Sequence, residues 1–313
     1  IMILVLMHTT ISNRRHRAVF GAVIVLSANI GGALTVIGDP NGLLLWNMGA
    51  VTPSHYSAWM ILPCLVAWAV PTALMSRMLP ERLDLESYTL PYRGDDTNLQ
   101  LWQRILMFFF SIAGLWFIPI FHNITRLSPF VGALCVLSLL WIVNEIFNRK
   151  LIDSGQITHQ RPTHLLQDSL IQTMLYVMGI MLIMGILIET GAGHFVGRQA
   201  MLLLGDVWTI AIAPFIAGMV SLVLDPFASA ATFFSLYDIQ GTEYLMQNGE
   251  YWISIAYATA VGSTILGIGS LSGLAMFKMR STTIGWYVKY ASPKIFLGAL
   301  LGLLVLIAEA VVF

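Results

Sequence analysis

Ser27–Trp46 lies inside an apolar run long enough to cross a bilayer, yet it carries Asn29, Thr35, Asp39 and Asn41 and is interrupted by Gly31, Gly32, Gly38, Pro40 and Gly42. A continuous lipid-facing helix does not tolerate that combination. Glycine weakens a helix by roughly 1 kcal/mol and proline removes a backbone donor. In hydrocarbon each freed backbone group needs a partner from protein or from a wet cavity. An ionisable Asp at membrane depth costs about 2.5–3.5 kcal/mol on insertion scales. The stretch therefore reads as a broken helix lining a binding site.

The chain contains a second version of this text. Residues Gly31–Gly42 align with Gly262–Gly273 at an offset of 231, with identities at Gly31/Gly262, Ile37/Ile268, Gly38/Gly269 and Gly42/Gly273. Asp39 falls opposite Ser270, so a charge in one copy becomes a hydroxyl in the other. Paired, Gly/Pro-interrupted apolar segments in the two halves of a chain are the best sequence pointer to the site of a secondary transporter.

Composition sets the class. Hydrophobic residues make up 57% of the chain and charged residues only 10%, against about 25% charged in a soluble domain. Several runs exceed the length that spans a bilayer. The expected fold is an all-α polytopic membrane protein, an inverted-repeat secondary transporter with two broken-helix or hairpin elements. Zero net charge argues against nucleic acid as a partner. Cys64 and Cys135 both sit in apolar segments, which gives no disulfide framework. The scattered histidines lack a His-Glu-x-x-His spacing and Gly267-Ile-Gly269 lacks the context of a nucleotide loop, so no zinc site or cofactor is expected. An intramembrane aspartyl protease is disfavoured, because Val36 stands where its motif needs glycine and its two motifs would come in reverse order. The expectation is a carrier, not an enzyme.

Spans are expected at the tail Ile1–Met7, the broken Ala18–Trp46, then Ala58–Met78, Leu101–His122, Ser128–Asn148, Ser169–Thr190, Val207–Tyr237 with a further break at Asp225-Pro226, the broken Tyr251–Phe277, and Tyr290–Phe313. Gly191–Gly205 reads as half of a re-entrant hairpin. The chain opens inside an apolar stretch, so a fragment lacking its N-terminal part is expected. On this reading residues 1–78 form the C-terminal part of a first repeat, 79–100 a polar linker, and 101–313 a second, inverted repeat with connecting helices. Lys and Arg set orientation. If the His8–Arg17 loop is cytoplasmic, strict alternation puts fourteen of the sixteen basic residues in cytoplasmic loops, with Arg126 and Arg198 outside. The loop before the first copy is basic, whereas Gln240–Glu250 before the second has no Lys or Arg and carries only Glu243 and Glu250 as charged residues. The two copies would then enter the membrane from opposite sides.

Four carboxylates fall at membrane depth: Asp39, Glu189, Asp225 and Glu309. A buried carboxylate with no Lys or Arg partner resists ionisation. It holds a proton or, once deprotonated, a cation, and that competition is the chemical basis of cation/proton exchange. Asp39 and Asp225 each precede a proline, and unwound carbonyls nearby supply further oxygens for a hard cation. The candidate cation- and proton-binding set is Asp39 and Asp225 with Asn29, Thr35, Asn41, Ser221, Ser263 and Ser270. Thr264 and Ser272 are further hydroxyls of the second copy. Glu189 is a candidate proton site, while Glu309, near the chain end, reads as interfacial.

At these residues the sequence resembles the NhaD-type sodium/proton antiporters of the broad ion-transporter superfamily. Ser27–Trp46 is similar to the family's Ala-Asn-x-Gly-Gly-Ala-x-Thr-x-Ile-Gly-Asp signature, Asp225-Pro-Phe occupies the place of an Asp-Asn motif, Asn248–Trp252 resembles the segment leading into the last broken helix, and Gly262–Gly273 is similar to its Gly-Gly-Ser-x-x-x-Ile-Gly-Ser-x-x-Gly element. The resemblance implies exchange of Na⁺ or Li⁺ for H⁺ across a bacterial inner membrane, with roles at Asn29, Thr35, Asp39, Asp225, Ser263 and Ser270. The implied partners are those ions and the lipid bilayer, with a homodimer as one assembly. Pro226 departs from the family pattern by removing a side-chain oxygen. A related carrier for an anion, such as a dicarboxylate or arsenite, is the alternative. It would bind substrate at broken-helix N-termini, but no Lys or Arg is embedded and the Ser-Asn-Thr motif of the dicarboxylate carriers is absent.

Overall fold

Among the described residues, helices form where the apolar runs predict them, and they stop where glycine, proline and capping side chains meet. The computed structural model describes residues 3–4, 7, 11, 13–79, 101–125, 127–153, 162–205, 207–239, 243–279 and 282–312. Among these no strand occurs, and six helices are long and apolar enough to cross a membrane, or seven if one bent pair is a single span. The protein is an all-α, multi-pass membrane protein. Most of the expected 79–100 linker and most of the Ile1–Met7 tail lie outside the described residues.

In order, the helices are α1 (Arg14–Ala33), α2 (Pro40–Met48), α3 (Pro53–Ser76), α4 (Leu101–Thr125), α5 (Pro129–Asp153), α6 (Pro162–Glu189), α7 (Ala192–Leu204), α8 (Ala213–Val220), α9 (Pro226–Phe234), α10 (Glu250–Leu266), α11 (Leu271–Lys278), α12 (Ile284–Trp286) and α13 (Ser292–Val312). Short π turns, Trp208–Ile212 and Tyr287–Ala291, lead into α8 and α13. Each comes just ahead of a proline, Pro214 or Pro293, whose missing N–H disturbs the regular ladder.

Several ends differ from expectation. The basic loop is shorter than expected, because Asn13 caps α1 by accepting from the Arg15 N–H at 3.0 Å. Arg14, Arg15 and Arg17 thus sit in the first turn. The expected polar loop Arg149–Asp168 narrows from both sides, since α5 runs to Asp153 and α6 starts at Pro162. Polarity ends a span, but a helix continues into water until a cap or proline stops it. Gly191–Gly205 is helical as α7, which leaves α6 at a bend of 64° through Gly191 at φ 66°.

Two compact units divide the chain, Ile1–Tyr88 with Ile180–Phe313, and Thr89–Gly179. In the second, α4 and α5 pack as a pair, and Gly114 and Gly132 make room for Val136 and Phe121. Their outer faces, including Phe108, Phe109 and Phe130, stay exposed, as lipid-facing helices require.

The first unit is built around α10, buried at every residue from Tyr251 to Ile265. It packs against α1, α3, α8, α9 and α13. Small residues allow that crowding. A Cβ on Gly218 would lie 3.0 Å from the Ala258 carbonyl oxygen, and one on Gly262 would lie 2.9 Å from the Gly218 Cα, so α8 and α10 meet backbone to backbone. Pro71 removes the donor for the Ala67 carbonyl in α3. Gly298 of α13 lies against that same oxygen, which a Cβ would approach to 2.9 Å.

Three spans in this unit are broken, at Leu34–Asp39, Ser221–Asp225 and Gly267–Ser270. The two copies found in the sequence fold their breaks in the same way. A Cβ on Gly42 would stand 2.7 Å from the Val36 carbonyl oxygen, and one on the equivalent Gly273 would overlap the Gly267 backbone. Val36 and Gly267 are themselves equivalent at the 231-residue offset. Each half-helix thus folds back on its own turn through a glycine six residues downstream. Gly42→Ala and Gly273→Ala are each expected to lower stability by about 1–3 kcal/mol through overpacking, while Gly31→Ala, whose Cβ meets nothing within 4 Å, is not. Thermal melting of the purified variants in detergent checks this.

Candidate ion-binding site

A helix that starts in mid-membrane leaves its first N–H groups without partners. Here the sequence supplies a cap at each break. Asp39, with extended backbone, accepts from the Asn41 N–H at 3.2 Å and starts α2. Asp225 accepts from the Phe227 N–H at 3.0 Å and starts α9. Ser270 accepts from the Gly273 N–H at 3.2 Å and starts α11. Pro40 and Pro226 each occupy the first helical position, where a missing N–H costs nothing. Asp39 and its sequence-aligned partner Ser270 therefore do the same structural work.

α2 packs against α9, and Asp39 and Asp225 lie within electrostatic reach of each other. Tyr56 of α3, fully buried, is within reach of Asp39 as well. Each carboxylate has one oxygen in its cap; among the described hydrogen bonds the other oxygen is not engaged.

Two long-range hydrogen bonds tie the copies together. Asn41 Nδ2 donates to Thr259 Oγ1 at 3.1 Å, and Ser272 Oγ donates to Asn29 Oδ1 at 2.9 Å. From Asn29 to Asn41 is twelve residues forward in the first copy, and from Ser272 to Thr259 is thirteen backward in the second. The two broken segments therefore cross antiparallel. The donors Asn41 and Ser272 are equivalent at the 231-residue offset. Each copy thus reaches from the second residue of its short half-helix to the long half-helix of the other.

Thr259 is the residue that reading the sequence missed. It is fully buried in α10. Its hydroxyl accepts from Asn41 and donates to Ile255 O at 2.8 Å. Its carbonyl accepts from Ser221 Oγ at 2.7 Å. It thus joins the break before Asp39's half-helix to the break before Asp225's. Its place one turn before Ser263, on the same helical face, was the signal available.

Of the remaining candidates, Ser263 is buried in α10 and donates to Ala260 O at 2.8 Å. Thr35 stays within its own turn, accepting from the Gly38 N–H at 3.2 Å. Ser270 lies 3.4 Å from Ser272, which joins it to Asn29. Glu189 is exposed at the end of α6 and is not part of this hydrogen-bonded cluster. Among the described residues no three His, Cys, Asp or Glu side chains converge as a metal site. Any further oxygens around the two carboxylates are those of amides, hydroxyls and backbone carbonyls.

The chain is 28% identical over 313 residues to "Sodium/proton antiporter 2" of Arabidopsis thaliana, covering 98% of this chain and 71% of that protein. It is 28% identical over 310 residues to "Sodium/proton antiporter 1" of the same plant, covering 97% and 50%. It is 25% identical over 299 residues to "Na(+)/H(+) antiporter NhaD" of Alkalimonas amylolytica, covering 88% and 57%. The chain is similar along most of its length to sodium/proton antiporters, those named NhaD among them. It spans between half and about seven-tenths of the length of these three relatives. No family model and no solved structure matches it.

The Thr259 junction makes a direct prediction. Thr259→Val keeps the volume but leaves the buried Asn41 amide without its acceptor, and is expected to cost about 1–3 kcal/mol. Thr259→Ser, which restores the hydroxyl, is expected to recover most of that. Denaturation of the purified variants is the measurement.

Proposed function

We propose that this chain carries the exchange site of a secondary antiporter, moving Na⁺ or Li⁺ against H⁺ across a membrane. The observation that carries the reading is the pair Asp39 and Asp225. Both are carboxylates that cap half-helices packed against each other, within a membrane-spanning bundle. Each is able to hold a proton or a cation, and their mutual repulsion disfavours two bare negative charges. Proton and Na⁺ then exclude one another at one place, and this is the chemistry of antiport. The sodium/proton antiporters among the matched relatives support the assignment. They give the anion-carrier alternative no support.

In this proposal Asn41 and Ser221, joined through Thr259, and Asn29, Ser270 and Ser263 provide neutral oxygens around the carboxylates. Thr35 holds the turn that presents Asp39. Residues 1–78 act as part of one repeat and 101–313 as the second, inverted one, with 79–100 as the linker. The antiparallel crossing of the copies and their matching caps favour that division. Exchange would follow from one repeat rocking against the other around a fixed site. We assign the bacterial inner membrane as its location, in line with relatives from Alkalimonas and Vibrio; the Arabidopsis relatives extend the lineage to plants.

Cation-induced dequenching of a pH dye in everted vesicles tests the proposal. Asp39→Asn and Asp225→Asn are each expected to abolish dequenching by Na⁺ and Li⁺. Asn caps a helix about as well as Asp, so both variants should melt close to the wild type, and the loss reports chemistry, not folding. Full exchange by Asp39→Asn would refute the role given to that carboxylate.

A further inference from the structure

Three helices end at one cavity. It has a volume of about 420 Å³ and is lined by Met48, Ile188, Phe234, Tyr237, Asp238 and Ile239. Met48 closes α2, Phe234 closes α9, and Ile188 is the last residue but one of α6. A helix C-terminus carries roughly half a negative charge on its last carbonyls. Asp238 adds a carboxylate whose side chain is 78% exposed. The segments that follow α2 and α9, residues 49–52 and 235–249, contain no Lys or Arg. The same two half-helices hold the proposed exchange site at their other ends. Each is nine residues long, α2 capped by Asp39 and α9 by Asp225, and they pack against each other. Their caps are within electrostatic reach and their last residues share the cavity wall, so they run side by side in one direction. At 1.5 Å per residue the cavity lies about 13 Å from the carboxylates.

A histidine reaches the cavity's carboxylate. His194 Nε2, in the first turn of α7, lies 3.8 Å from Asp238 Oδ1. A narrow seam holds α7 in that place. A Cβ on Gly193 would stand 2.5 Å from Ser235 O and one on Gly197 2.7 Å from Leu236 O, and Tyr237 Oη donates to Gly197 O at 2.6 Å. An exposed ion pair of this kind is worth no more than about fivefold in an equilibrium, so it yields to a competing cation. Histidine changes charge between about pH 5 and 8. The other ionisable groups around the pair are Arg198, one turn along α7, Glu189 at the end of α6, Tyr237, and Tyr251 of α10, whose ring meets Tyr237 edge-on. Arginine and an exposed glutamate stay charged over that range and tyrosine stays neutral, so the histidine alone alters the balance of charge.

We propose that this cavity captures a hydrated monovalent cation on Asp238 before it moves to Asp39 and Asp225, and that His194 competes with the cation for that carboxylate. The proposal rests on the antiporter reading and adds to it an entry site. Protonated, His194 occupies Asp238; neutral, it leaves the carboxylate to the cavity. One exposed carboxylate beside helix C-termini suits a weakly held, hydrated ion of single charge, whereas a tightly bound Ca²⁺ takes about six to eight oxygens.

The test uses the full chain in proteoliposomes, with Na⁺-driven proton movement measured across about pH 6 to 8. Asp238→Asn is expected to raise the apparent KM for Na⁺ about threefold to fivefold at the alkaline end, the change falling on KM and not on kcat. His194→Gln is expected to lower KM by a similar factor at the acidic end and to match the wild type at the alkaline end. The double variant should match Asp238→Asn at both ends. A second readout needs no transport. Ile239→Cys, in the cavity wall, is labelled with a cationic and an anionic methanethiosulfonate, the wild type giving the background from Cys64 and Cys135. The cationic reagent is expected to react faster, and adding Asp238→Asn to shrink that preference by about threefold or more. Asp238→Asn with the wild-type KM overturns the capture site, whatever the labelling shows. His194→Gln that follows the wild type at every pH overturns the competition. A cavity that prefers the cationic reagent in a wild type unable to exchange overturns the antiporter reading and leaves the attraction of cations standing. A wild type showing neither exchange nor that preference overturns both.

Discussion

Backbone groups at a broken helix in lipid have no water to turn to, and the fold of the first unit depends on how that need is met. Each of its three breaks ends in an extended residue whose side chain accepts from the first turn of the next half-helix: Asp39, Asp225 and Ser270. The caps fix where the carboxylates stand. A capping Asp cannot swing away without stranding N–H groups at the helix start. In the proposed site, position would therefore follow from a requirement of folding, and the chemistry would borrow groups that the backbone already holds.

α10 gives the caps a common reference. It is buried from Tyr251 to Ile265, and its small residues let α8 approach to backbone contact. Thr259 receives Asn41 from one break and Ser221 from another, so two segments far apart in sequence are registered against the same helical turn. The Asn29–Ser272 bond supplies the matching tie across the other side of the crossing. With both ties in place, sliding one broken segment along the other would break a hydrogen bond at each end, buried at Thr259 and part-buried at Asn29.

The breaks were legible in the sequence because their causes are local. Gly38-Asp39-Pro40 and Asp225-Pro226 state a stop, a cap and a first helical residue in consecutive letters. The offset of 231 was legible too, as an alignment only; the structure adds that the aligned Asp39 and Ser270 are both caps and that the aligned Gly42 and Gly273 are both close-packing positions. What escaped was what has no local signature. Thr259 sits in an apolar helix as an ordinary hydroxyl, and its role comes from partners 218 and 38 residues away. Thr35 read as a ligand because polarity at membrane depth suggests one; its oxygen also accepts from the Gly38 N–H within the turn, a local use that polarity alone does not announce. The ends of α5 and α6 were misjudged because hydropathy marks the bilayer and says little about where a helix stops.

Pro226 first reads as a loss, since it removes a side-chain oxygen where the antiporter family has an amide. The geometry gives it a different meaning. Pro226 and Pro40 hold the same position after a capping carboxylate, so the two breaks are alike and neither depends on its second residue for a ligand. In the proposed exchange this likeness has a consequence. A deprotonated Asp is a strong acceptor for the N–H groups it caps and is favoured by the helix dipole; a protonated one is weaker on both counts. The Asn41 N–H that caps onto Asp39 belongs to the residue whose amide reaches Thr259, and Thr259 in turn holds Ser221 at the entrance to the Asp225 break. Proton uptake at Asp39 would loosen the start of α2 and, through three hydrogen bonds, bear on the other carboxylate. A cation that keeps Asp39 ionised would keep that chain taut. The same contacts that satisfy the broken backbone are then the ones that tell each carboxylate what the other is holding.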